Sequence, residues 1–255
     1  MKICFISRGY PFADDSAYSF LKVLVDRLTD LGNQCVVVAP QTINGKSRTG
    51  KLRKTKWSYK TDRGNTVSVF QPLHFSFGPV KLFGKHLTTY FRTKAINKAV
   101  KKNVPKPQLF YGHFWDCGFY IAKYAKKNNI PVVVANGESH IYHLFNFFSK
   151  SYIKKYLDVI KGVICVSSDN KKESAEWGLI KSNQKVIVSP NCVDTSVFQP
   201  TDSKNIRSKL NIKDSDFVIS FVGSFIERKG DQRLVKAVEN IDNVKLILIG
   251  GDKKE

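Results

Sequence analysis

The stretch FVISFVGSFIERKGDQR, residues 217–233, contains the pattern that decides the fold. Its apolar, β-branched first half predicts a strand at 217–222, which the turn Gly223-Ser224 follows, and a helical pattern opens at Asp231. The loop between them carries Arg228 and Lys229, where the helix dipole already presents positive potential. Cations are unfavourable there unless an anion is bound, so Gly223, Arg228 and Lys229 are predicted to bind phosphate. The alternative is that Asp231 is an N-cap and the cations are solvated loop charges.

Similar strand patterns alternate with helical periods along almost the whole chain, which indicates an α/β fold with a parallel sheet. The predicted strands cover residues 3–7, 35–39, 67–70, 109–111, 132–135, 163–166, 186–188, 217–222 and 244–249. The predicted helices cover residues 16–31, 82–103, 117–128, 142–157 and 169–177, and a last one begins at Asp231. In the first helix the predicted apolar stripe consists of Phe20, Leu21, Leu24, Val25, Leu28 and Leu31. Ligands of such sheets bind beyond the carboxyl ends of the strands, so the functional residues are expected there.

The pattern predicts two domains, 1–190 and 191–255. The first holds a complete alternation of strands and helices. The second contains only a crossing segment and a strand, a helix and a strand, whereas a self-sufficient domain usually has about 100 residues. We therefore expect the second Rossmann-like domain to be truncated and the natural chain to continue past Glu255.

Composition indicates a globular protein with a substantial core, since 42% of the 255 residues are hydrophobic. The cysteines lie far apart in the sequence and are expected to act as small core residues in a reducing cytosol; they are Cys4, Cys35, Cys117, Cys165 and Cys192. No signal-peptide core follows Met1, and no apolar run approaches the length of a membrane span. The expected location is the cytoplasm.

The net charge of +21 calls for an acidic partner. The cations concentrate in a predicted loop at 46–63, in the predicted helix at 82–103 and at 142–156, and the last two segments are also rich in aromatic residues. Basic helices with aromatic faces suit an anionic membrane surface, which predicts peripheral association with the inner face of the cell membrane. Alternatively, the aromatic residues are core and the lysines are simply solvated. A nucleic-acid-binding protein would also be basic, but the sequence has no motif of a known nucleic-acid-binding module.

Several motifs together resemble those of the family 4 glycosyltransferases of GT-B architecture, over nearly the whole chain. The segment 191–194 with Phe198 and Pro200 is similar to the family's N-G-V-D-x-x-x-F-x-P crossing between domains. Phe221-Val222-Gly223 with Lys229-Gly230 and Ala237 is similar to its donor-phosphate loop, and the strand at 246–250 to the strand that follows. In the first domain, residues 112–115 resemble an H-x-H-W segment and residues 130–134 the P-V-V strand before the catalytic loop.

The resemblance implies an enzyme that transfers a hexosyl group from a nucleoside diphosphate sugar to a hydroxyl of a glycan or lipid-linked acceptor. The expected setting is the biosynthesis of surface polysaccharide, capsule, lipopolysaccharide or glycolipid. It also implies retention at the anomeric carbon, no cofactor and no essential metal, with Arg228 and Lys229 holding the donor pyrophosphate. The alternatives are a basic nucleic-acid-binding protein and a non-catalytic acceptor-binding protein. A Rossmann oxidoreductase is disfavoured because no G-x-G-x-x-G follows the first strand.

The candidate catalytic residues include departures from the family pattern. Asn136 occupies the position of a family histidine, and its amide can orient a hydroxyl but cannot accept its proton. Glu138 and His140 are candidates to take over that polar work, although His140 could instead cap the next helix or lie at the surface. His113 resembles a family histidine; the alternative is a buried, hydrogen-bonded residue at a strand end.

The loop after the first strand is the predicted acceptor loop, with Tyr10, Ser16 and Ala17 as its candidate residues. Asp14 and Asp15 would repel a phosphate there, which favours a neutral sugar hydroxyl. In the second domain, Ser224 stands where many relatives have an arginine, and the acidic segment that grips the donor in the family would lie beyond Glu255. The Asp-Ser-Asp of residues 214–216 resembles a metal motif but is ordinary turn chemistry at its position before a strand.

Overall fold

The structure is a computed structural model. It describes residues 1–12, 15, 17–44, 52–82, 85–191, 193, 195 and 198–250. The chain divides into two compact units, Met1–Asn191 and Cys192–Glu255. We call them unit 1 and unit 2.

Unit 1 is built on a parallel sheet with one antiparallel edge strand. The strands are Lys2–Ile6 (β1), Gln34–Val38 (β2), Gln41–Thr42 (β3), Lys56–Lys60 (β4), Thr66–Phe70 (β5), Leu73–His74 (β6), Lys81–Leu82 (β7), Lys85–His86 (β8), Leu109–His113 (β9), Val132–Asn136 (β10), Ile160–Cys165 (β11) and Lys185–Val188 (β12). The main sheet has the order β12-β11-β10-β9-β1-β2-β5-β4, and only the β4–β5 pair is antiparallel. The strand order reverses direction at β1, where the chain first moves to β2 and later returns to β9. Such a switch point is where α/β sheets bind ligands.

Helices cover both faces of this sheet. They are Ser19–Asp30 (α1), Leu87–Asn103 (α2), Trp115–Lys127 (α3), Leu144–Phe147 (α4), Lys150–Tyr156 (α5) and Ser168–Glu176 (α6), with short 3-10 turns at Ile141–His143 and Leu157–Val159. One core cluster joins α1 to the face that carries Phe5 and Val37. The other joins α2, α3 and α5 to the opposite face, which carries Cys4 and Ile6. The alternation of side chains along each strand thus supplies both cores.

Two glycines allow α3 to approach the sheet closely. A Cβ added to Gly112 of β9 would lie 2.5 Å from the backbone nitrogen of Gly118, and a Cβ on Gly118 would lie 2.5 Å from Cγ2 of Val134. Any larger residue would force the helix away from the strands. The close approach brings the first turn of α3 to the carboxyl edge of the sheet, where polar side chains from other strands also lie.

The structure corrects several predicted elements. Helix α1 begins at Ser19 rather than at residue 16. Two residues of the predicted apolar stripe are exposed, Phe20 (49%) and Leu31 (76%). Leu31 is exposed because it lies beyond the last turn of the helix. The predicted helix at 142–157 is interrupted at Phe148 and Ser149, where the Ser149 hydroxyl caps α5 by accepting from the Tyr152 N–H. A hydroxyl that satisfies a backbone donor in this way begins a new helix.

The predicted basic loop at 46–63 contains a strand. In β4 the aromatic residues Trp57 and Tyr59 are half-buried, while Lys56, Ser58 and Lys60 are exposed. This period of two is visible in the sequence KWSYK and could have identified an edge strand, but its lysines drew attention to the charge instead. Leu82, Lys85 and His86 fall within the predicted helix at 82–103 but belong to the antiparallel strands β7 and β8.

Unit 2 contains a parallel strand pair and two helices. Its elements are Lys204–Lys209 (α7), Phe217–Gly223 (β13), a 3-10 turn at Glu227–Lys229, Asp231–Val238 (α8) and Val244–Gly250 (β14). The strands pair in parallel from Phe217 with Val244 to Gly223 with Gly250, so the predicted strand–helix–strand unit is confirmed.

The composition led to expectations about the cysteines and about membrane-spanning segments. The thiols of Cys4, Cys35, Cys117 and Cys165 are free and buried, as predicted, and Cys192 lies outside the described residues. A search of the described residues finds no helix long and apolar enough to cross a membrane.

Candidate active site

The carboxyl edge of the unit 1 sheet brings together polar residues from three strand ends. The loop after β1 supplies Arg8, the end of β9 supplies His113, and the loop after β10 supplies Glu138. A cavity of about 230 Å³ has walls that include Arg8, Tyr10 and Ala17 but neither His113 nor Glu138. This is the part of the sheet where the sequence predicted a ligand.

An ion-pair cluster forms the floor of the site. The Arg8 guanidinium donates to Asp116 Oδ2 through Nε at 2.7 Å and to Glu138 Oε1 through Nη2 at 3.2 Å. The Asp116 side chain is almost completely buried and lies in the first turn of α3, where the helix dipole stabilises a carboxylate. Glu138 Oε2 accepts a hydrogen bond from the Trp115 N–H at 3.2 Å, so both carboxylates interact with the start of this helix. The cluster fixes the position of Glu138 from two directions.

Glu138 has the protonation behaviour of an acid–base group. Burial raises the pKa of its carboxyl from 4.5 to about 7, and the neighbouring Asp116 carboxylate contributes to the increase. The Arg8 guanidinium and the Trp115 N–H act in the opposite direction but do not cancel it. A carboxyl that titrates near neutrality can both give and accept a proton at the working pH of an enzyme.

His113 lies at the end of β9 among aromatic rings. Its ring centroid is 4.3 Å from that of Phe114, 5.1 Å from that of Phe20 and 6.4 Å from that of Tyr18. Burial lowers the pKa of His113 from 6.5 to about 4, so the imidazole is neutral near pH 7. Neither ring nitrogen has a hydrogen-bond partner among the described residues. A neutral imidazole offers one donor and one acceptor, which is what a sugar hydroxyl requires.

The structure supports one part of the alternative interpretation of His113 and contradicts the other. The residue is buried at a strand end, as that interpretation required, but it makes no hydrogen bond within the described part of the chain. Buried polar groups without a partner are uncommon in proteins and cost about 1–3 kcal/mol. An imidazole without a hydrogen-bond partner at the ligand-binding edge of a sheet makes His113 a candidate to bind a ligand.

The next residue, Phe114, has a strained backbone. Its φ of 83° and ψ of 160° lie in a region that is essentially reserved for glycine. Its N–H donates to the Ala135 carbonyl at 2.9 Å, and its ring packs under the Arg8 guanidinium, 5.2 Å from the ring centroid. These contacts hold the turn that passes directly from β9 into α3. Sequence patterns alone gave no sign of this strain.

Asn136 is placed differently from its predicted role. The residue is fully buried at the end of β10, and its Nδ2 donates to Ser174 Oγ at 2.8 Å and to the Asn170 carbonyl at 3.2 Å. Its Oδ1 accepts from the Glu138 N–H at 3.3 Å. The amide thus connects the Glu138 loop to α6, and both of its donors are occupied by the protein. In this arrangement Asn136 positions Glu138 and does not face a substrate hydroxyl.

His140 lies on the surface. It precedes the 3-10 turn Ile141–His143 but makes no side-chain capping bond to it. Its ring is near those of Tyr142, at 5.6 Å, and His143, at 6.4 Å. The structure thus agrees with the surface alternative for this residue and gives it no contact with the Arg8 cluster.

The predicted acceptor loop lines the cavity, but not in the expected way. The Tyr10 side chain is buried, and its hydroxyl lies 2.5 Å from that of Tyr59. Arg53 forms an ion pair with Asp15, which corrects the expectation that Asp15 carries a free negative charge against phosphate. Ser16 and Asp14 lie outside the described residues. The cavity also presents Arg92, whose guanidinium donates to the Tyr120 hydroxyl at 3.0 Å and has no ion pair with a described carboxylate.

In unit 2 the predicted phosphate loop has the expected form. β13 ends at Gly223, and Arg228 and Lys229 are exposed in the 3-10 turn before α8. Gly230 joins this turn to α8 with a left-handed φ of 79°, which a larger residue would adopt only with strain. Gly230 occupies the N-cap position and α8 has no side-chain cap, so the alternative of Asp231 as an N-cap is wrong. The helix start thus keeps backbone N–H donors for a bound anion.

Sequence reasoning missed two residues of the unit 1 site, Arg8 and Asp116. Arg8 directly follows a predicted strand, and Asp116 directly precedes a predicted helix, so both positions carried a usable signal. The ion pair between them carried no such signal in the sequence, because the two residues are 108 positions apart along the chain.

The Asp-Ser-Asp segment is turn chemistry, as predicted, because Asp216 Oδ2 accepts from the Lys213 N–H at 2.9 Å. Among the described residues, no group of three or more His, Cys, Asp or Glu side chains could hold a metal ion.

The fold is that of the GT-B glycosyltransferases. Sucrose-phosphate synthase of Thermosynechococcus elongatus has a TM-score of 0.69 and 18% identity, with 99% of this chain and 63% of that chain covered. The HepE protein of Anabaena, solved in complex with UDP-glucose, has a TM-score of 0.63 and 17% identity, with 100% and 62% covered.

The sequence comparison gives the family. The model of Glycosyltransferase Family 4 matches residues 19–197, and the chain belongs to this family. The candidate teichuronic acid biosynthesis glycosyltransferase TuaC of Bacillus subtilis (strain 168) is 23% identical over 264 residues, with 98% of this chain and 65% of the relative covered. The chain thus spans less than two thirds of the length of these relatives.

Proposed function

We propose that this protein transfers a sugar from a nucleoside diphosphate sugar to a hydroxyl group of a glycan acceptor. The observation that carries the proposal is that the carboxyl edge of the unit 1 sheet holds both a buried carboxyl with a pKa of about 7 and a neutral imidazole that has no hydrogen-bond partner among the described residues. Glu138 can bind a hydroxyl and its proton, and His113 can orient a neighbouring hydroxyl. The cavity lined in part by Arg8, Tyr10 and Ala17 is the proposed acceptor pocket.

The donor is proposed to bind at the phosphate loop of unit 2. Exposed cations beside a left-handed glycine and an uncapped helix start suit a pyrophosphate. Arg228 and Lys229 would stabilise the charge that develops on the leaving nucleoside diphosphate. In support of such a donor, HepE was solved with UDP-glucose.

Fixed cations at the leaving group also motivate a proposal about the mechanism. We expect transfer of a hexosyl group with retention at the anomeric carbon and without a metal or cofactor, because Arg228 and Lys229 can supply the charge stabilisation that a metal supplies elsewhere. The anomeric configuration of the product, measured by NMR, and the rate in the presence of a chelator test these two points. An inverted product or a rate abolished by chelation would contradict them.

The pathway proposed is the synthesis of a surface polysaccharide, such as capsule or lipopolysaccharide, or of a glycolipid, at the cytoplasmic face of the membrane. The name of TuaC, which places that relative in teichuronic acid biosynthesis, supports a surface polymer. The acceptor is then a glycan, either free or linked to a lipid.

The function is tested by supplying the purified full-length protein with a panel of nucleoside diphosphate sugars and glycan acceptors. We expect release of the nucleoside diphosphate that depends on the acceptor and a new glycosidic linkage in the product. Release without an acceptor would indicate hydrolysis, and binding of acceptor with no turnover of any donor would indicate the non-catalytic alternative.

A further inference from the structure

A second and larger concavity lies on the helical face of unit 1. It is a groove of about 1050 Å³ between α2, the second half of α3 and the α4–α5 segment. It shares no lining residue with the acceptor pocket, and none of the candidate catalytic residues borders it. We call it the lysine groove. Its chemistry therefore requires an explanation separate from that of the active site.

The groove has an aromatic floor and a cationic rim. The floor includes Tyr152, which stacks on Phe148 at 5.3 Å between ring centroids and contacts Tyr156 at 4.6 Å. The rim carries five exposed lysines, Lys94, Lys101, Lys123, Lys127 and Lys155. No aspartate or glutamate lines the groove, and within the described residues none of these lysines forms an ion pair. Clustered cations with no carboxylate nearby repel one another unless an anion is bound.

The absence of acidic residues extends beyond the groove. The sequence contains no aspartate or glutamate between Asp62 and Asp116, and none between Glu138 and Asp158. These two segments supply α2 and the α4–α5 region, which are far apart in sequence and form opposite walls of the groove. The folded chain therefore combines two segments without carboxylates into one surface. A merely soluble surface would intersperse both signs of charge.

An exposed apolar segment continues the aromatic floor beyond the groove. Phe75, Phe77, Val80 and Leu82 are between 38% and 53% exposed. Ring contacts run from Phe77 to Phe91 at 5.3 Å and from Phe91 to Tyr90, which lines the groove, also at 5.3 Å. The segment is held against the start of α2, because the Phe77 N–H donates to Thr88 Oγ1 at 2.8 Å. Large apolar side chains fixed at the surface mark a site of interaction.

We propose that the lysine groove and this apolar segment dock the protein on an anionic phospholipid bilayer. The lysines bind headgroup phosphates, the aromatic floor accommodates the adjoining glycerol and upper acyl region, and Phe75 and Leu82 enter the boundary between headgroups and acyl chains. The sequence predicted membrane association for the basic aromatic segments at 82–103 and 142–156, and the structure adds the groove that these segments line together with α3. The proposed role of this docking rests on the proposed function, because docking would bring the enzyme to a lipid-linked acceptor. The binding itself requires no turnover.

The test is flotation of the full-length protein with vesicles of phosphatidylcholine, with and without phosphatidylglycerol. We expect binding only to the phosphatidylglycerol vesicles, and weaker binding in high salt. Replacing Lys94, Lys101, Lys123 and Lys127 by glutamine should weaken it by about thirtyfold or more. The matched control replaces the exposed lysines Lys60, Lys171, Lys172 and Lys185, which lie outside the groove, and should change binding by about threefold or less.

A second variant tests the apolar contribution. Phe75→Ser with Leu82→Ser should lower vesicle binding by about tenfold, whereas Val23→Ser with Leu31→Ser, at exposed apolar positions on α1 and directly after it, should not. All substituted side chains are substantially exposed, and an unchanged melting temperature verifies that each variant is folded.

Four results would overturn the proposal. The first is no binding of the unaltered protein to anionic vesicles, and the second is an equal loss of binding in the groove and control quartets. The third is full competition by soluble glycerol phosphate. The fourth is a groove quartet that loses nucleic-acid binding but keeps its vesicle binding. Failure of the glycosyl-transfer assay with a soluble acceptor would leave the vesicle result unchanged, so the two proposals fail independently.

Discussion

The two proposed substrate sites place their charges at strand ends in opposite ways. In unit 1 the charges of Arg8, Asp116 and Glu138 are partly or fully buried and compensate one another through short hydrogen bonds. In unit 2 the cations Arg228 and Lys229 are exposed, and no described carboxylate pairs with them. A buried, compensated cluster controls protonation and orientation, since small changes in its environment shift a pKa by several units. An exposed, uncompensated pair instead supplies charge that only a ligand can neutralise.

The comparison predicts the largest effect at the exposed pair. Lys229→Ala should lower the rate of sugar transfer by about 10²-fold or more, because a cation that stabilises the leaving phosphate acts mainly in the transition state. Lys236→Ala, on the exposed surface of α8, is the matched control and should leave the rate near that of the unaltered protein. Equal rates for the two variants would remove the phosphate loop from the mechanism.

Glu138→Gln should have the next largest effect, a loss of about 10- to 100-fold in rate at pH 8. The unaltered enzyme should gain activity as the pH rises through about 7, since the carboxyl then loses its proton, and the variant should lack this dependence. Glu176→Gln, at the exposed end of α6, controls for the loss of a carboxylate. A rate profile that keeps its inflection near pH 7 in Glu138→Gln would assign that inflection to another group.

Asp116→Asn should lower the free energy of unfolding by about 2 kcal/mol. The substitution removes the buried partner of Arg8, and the cost is moderate because the Arg8 side chain is 32% exposed and can be partly hydrated. Asp169→Asn, an exposed carboxylate in the first turn of α6, should cost about 0.5 kcal/mol through the helix dipole alone. Urea unfolding measures both values, and equal values would show that the cluster does not hold the start of α3.

The smallest effects concern the pH dependence of stability, where Glu138 and His113 act in opposite directions. The pKa of Glu138 is raised from 4.5 to about 7, so its contribution to stability falls as the pH rises through that window. The pKa of His113 is lowered from 6.5 to about 4, so its contribution rises with pH between those values. From about pH 4.5 to 6.5 the two slopes largely cancel in the unaltered protein.

Single substitutions should expose each slope. In Glu138→Gln the free energy of unfolding should rise with pH, relative to the unaltered protein, by about 1 kcal/mol per pH unit in that window. In His113→Gln it should fall by a similar amount. Urea unfolding at several pH values measures both differences, and slopes of the same sign in the two variants would contradict the burial of one of the groups.

Much of the fold could be predicted because it depends on short-range patterns. The strands β1, β2, β9, β10, β13 and β14 were located within a few residues, since each is an apolar run bounded by turn residues. The errors fell where another interaction decides the local structure. Ser149 interrupts a helical pattern by capping a new helix, and β4, whose period of two was obscured by its exposed lysines, pairs with β5 at the edge of the sheet.

The site was predicted in part for the same reason. His113 was identified from its resemblance to a family histidine, and Glu138 from its place near Asn136, which occupies the position of another family histidine. The protonation states of both depend on residues distant in the sequence. Burial beside Asp116 raises the pKa of Glu138 to about 7, against the opposing effect of Arg8, which is 130 residues away along the chain. Asn136 was assigned to substrate because its bonds to α6, 34 and 38 residues further on, could not be foreseen.

The sequence by itself determined the α/β class and the strand, cationic loop and helix start of unit 2, because periodicity, a glycine and two cations beside a helix start act within a few residues. Only the tertiary structure decided the Arg8–Asp116–Glu138 cluster, the unpartnered imidazole of His113 and the lysine groove. Each of these depends on the order in which strands pair and on which helices become neighbours, and burial then raises the pKa of Glu138 and lowers that of His113.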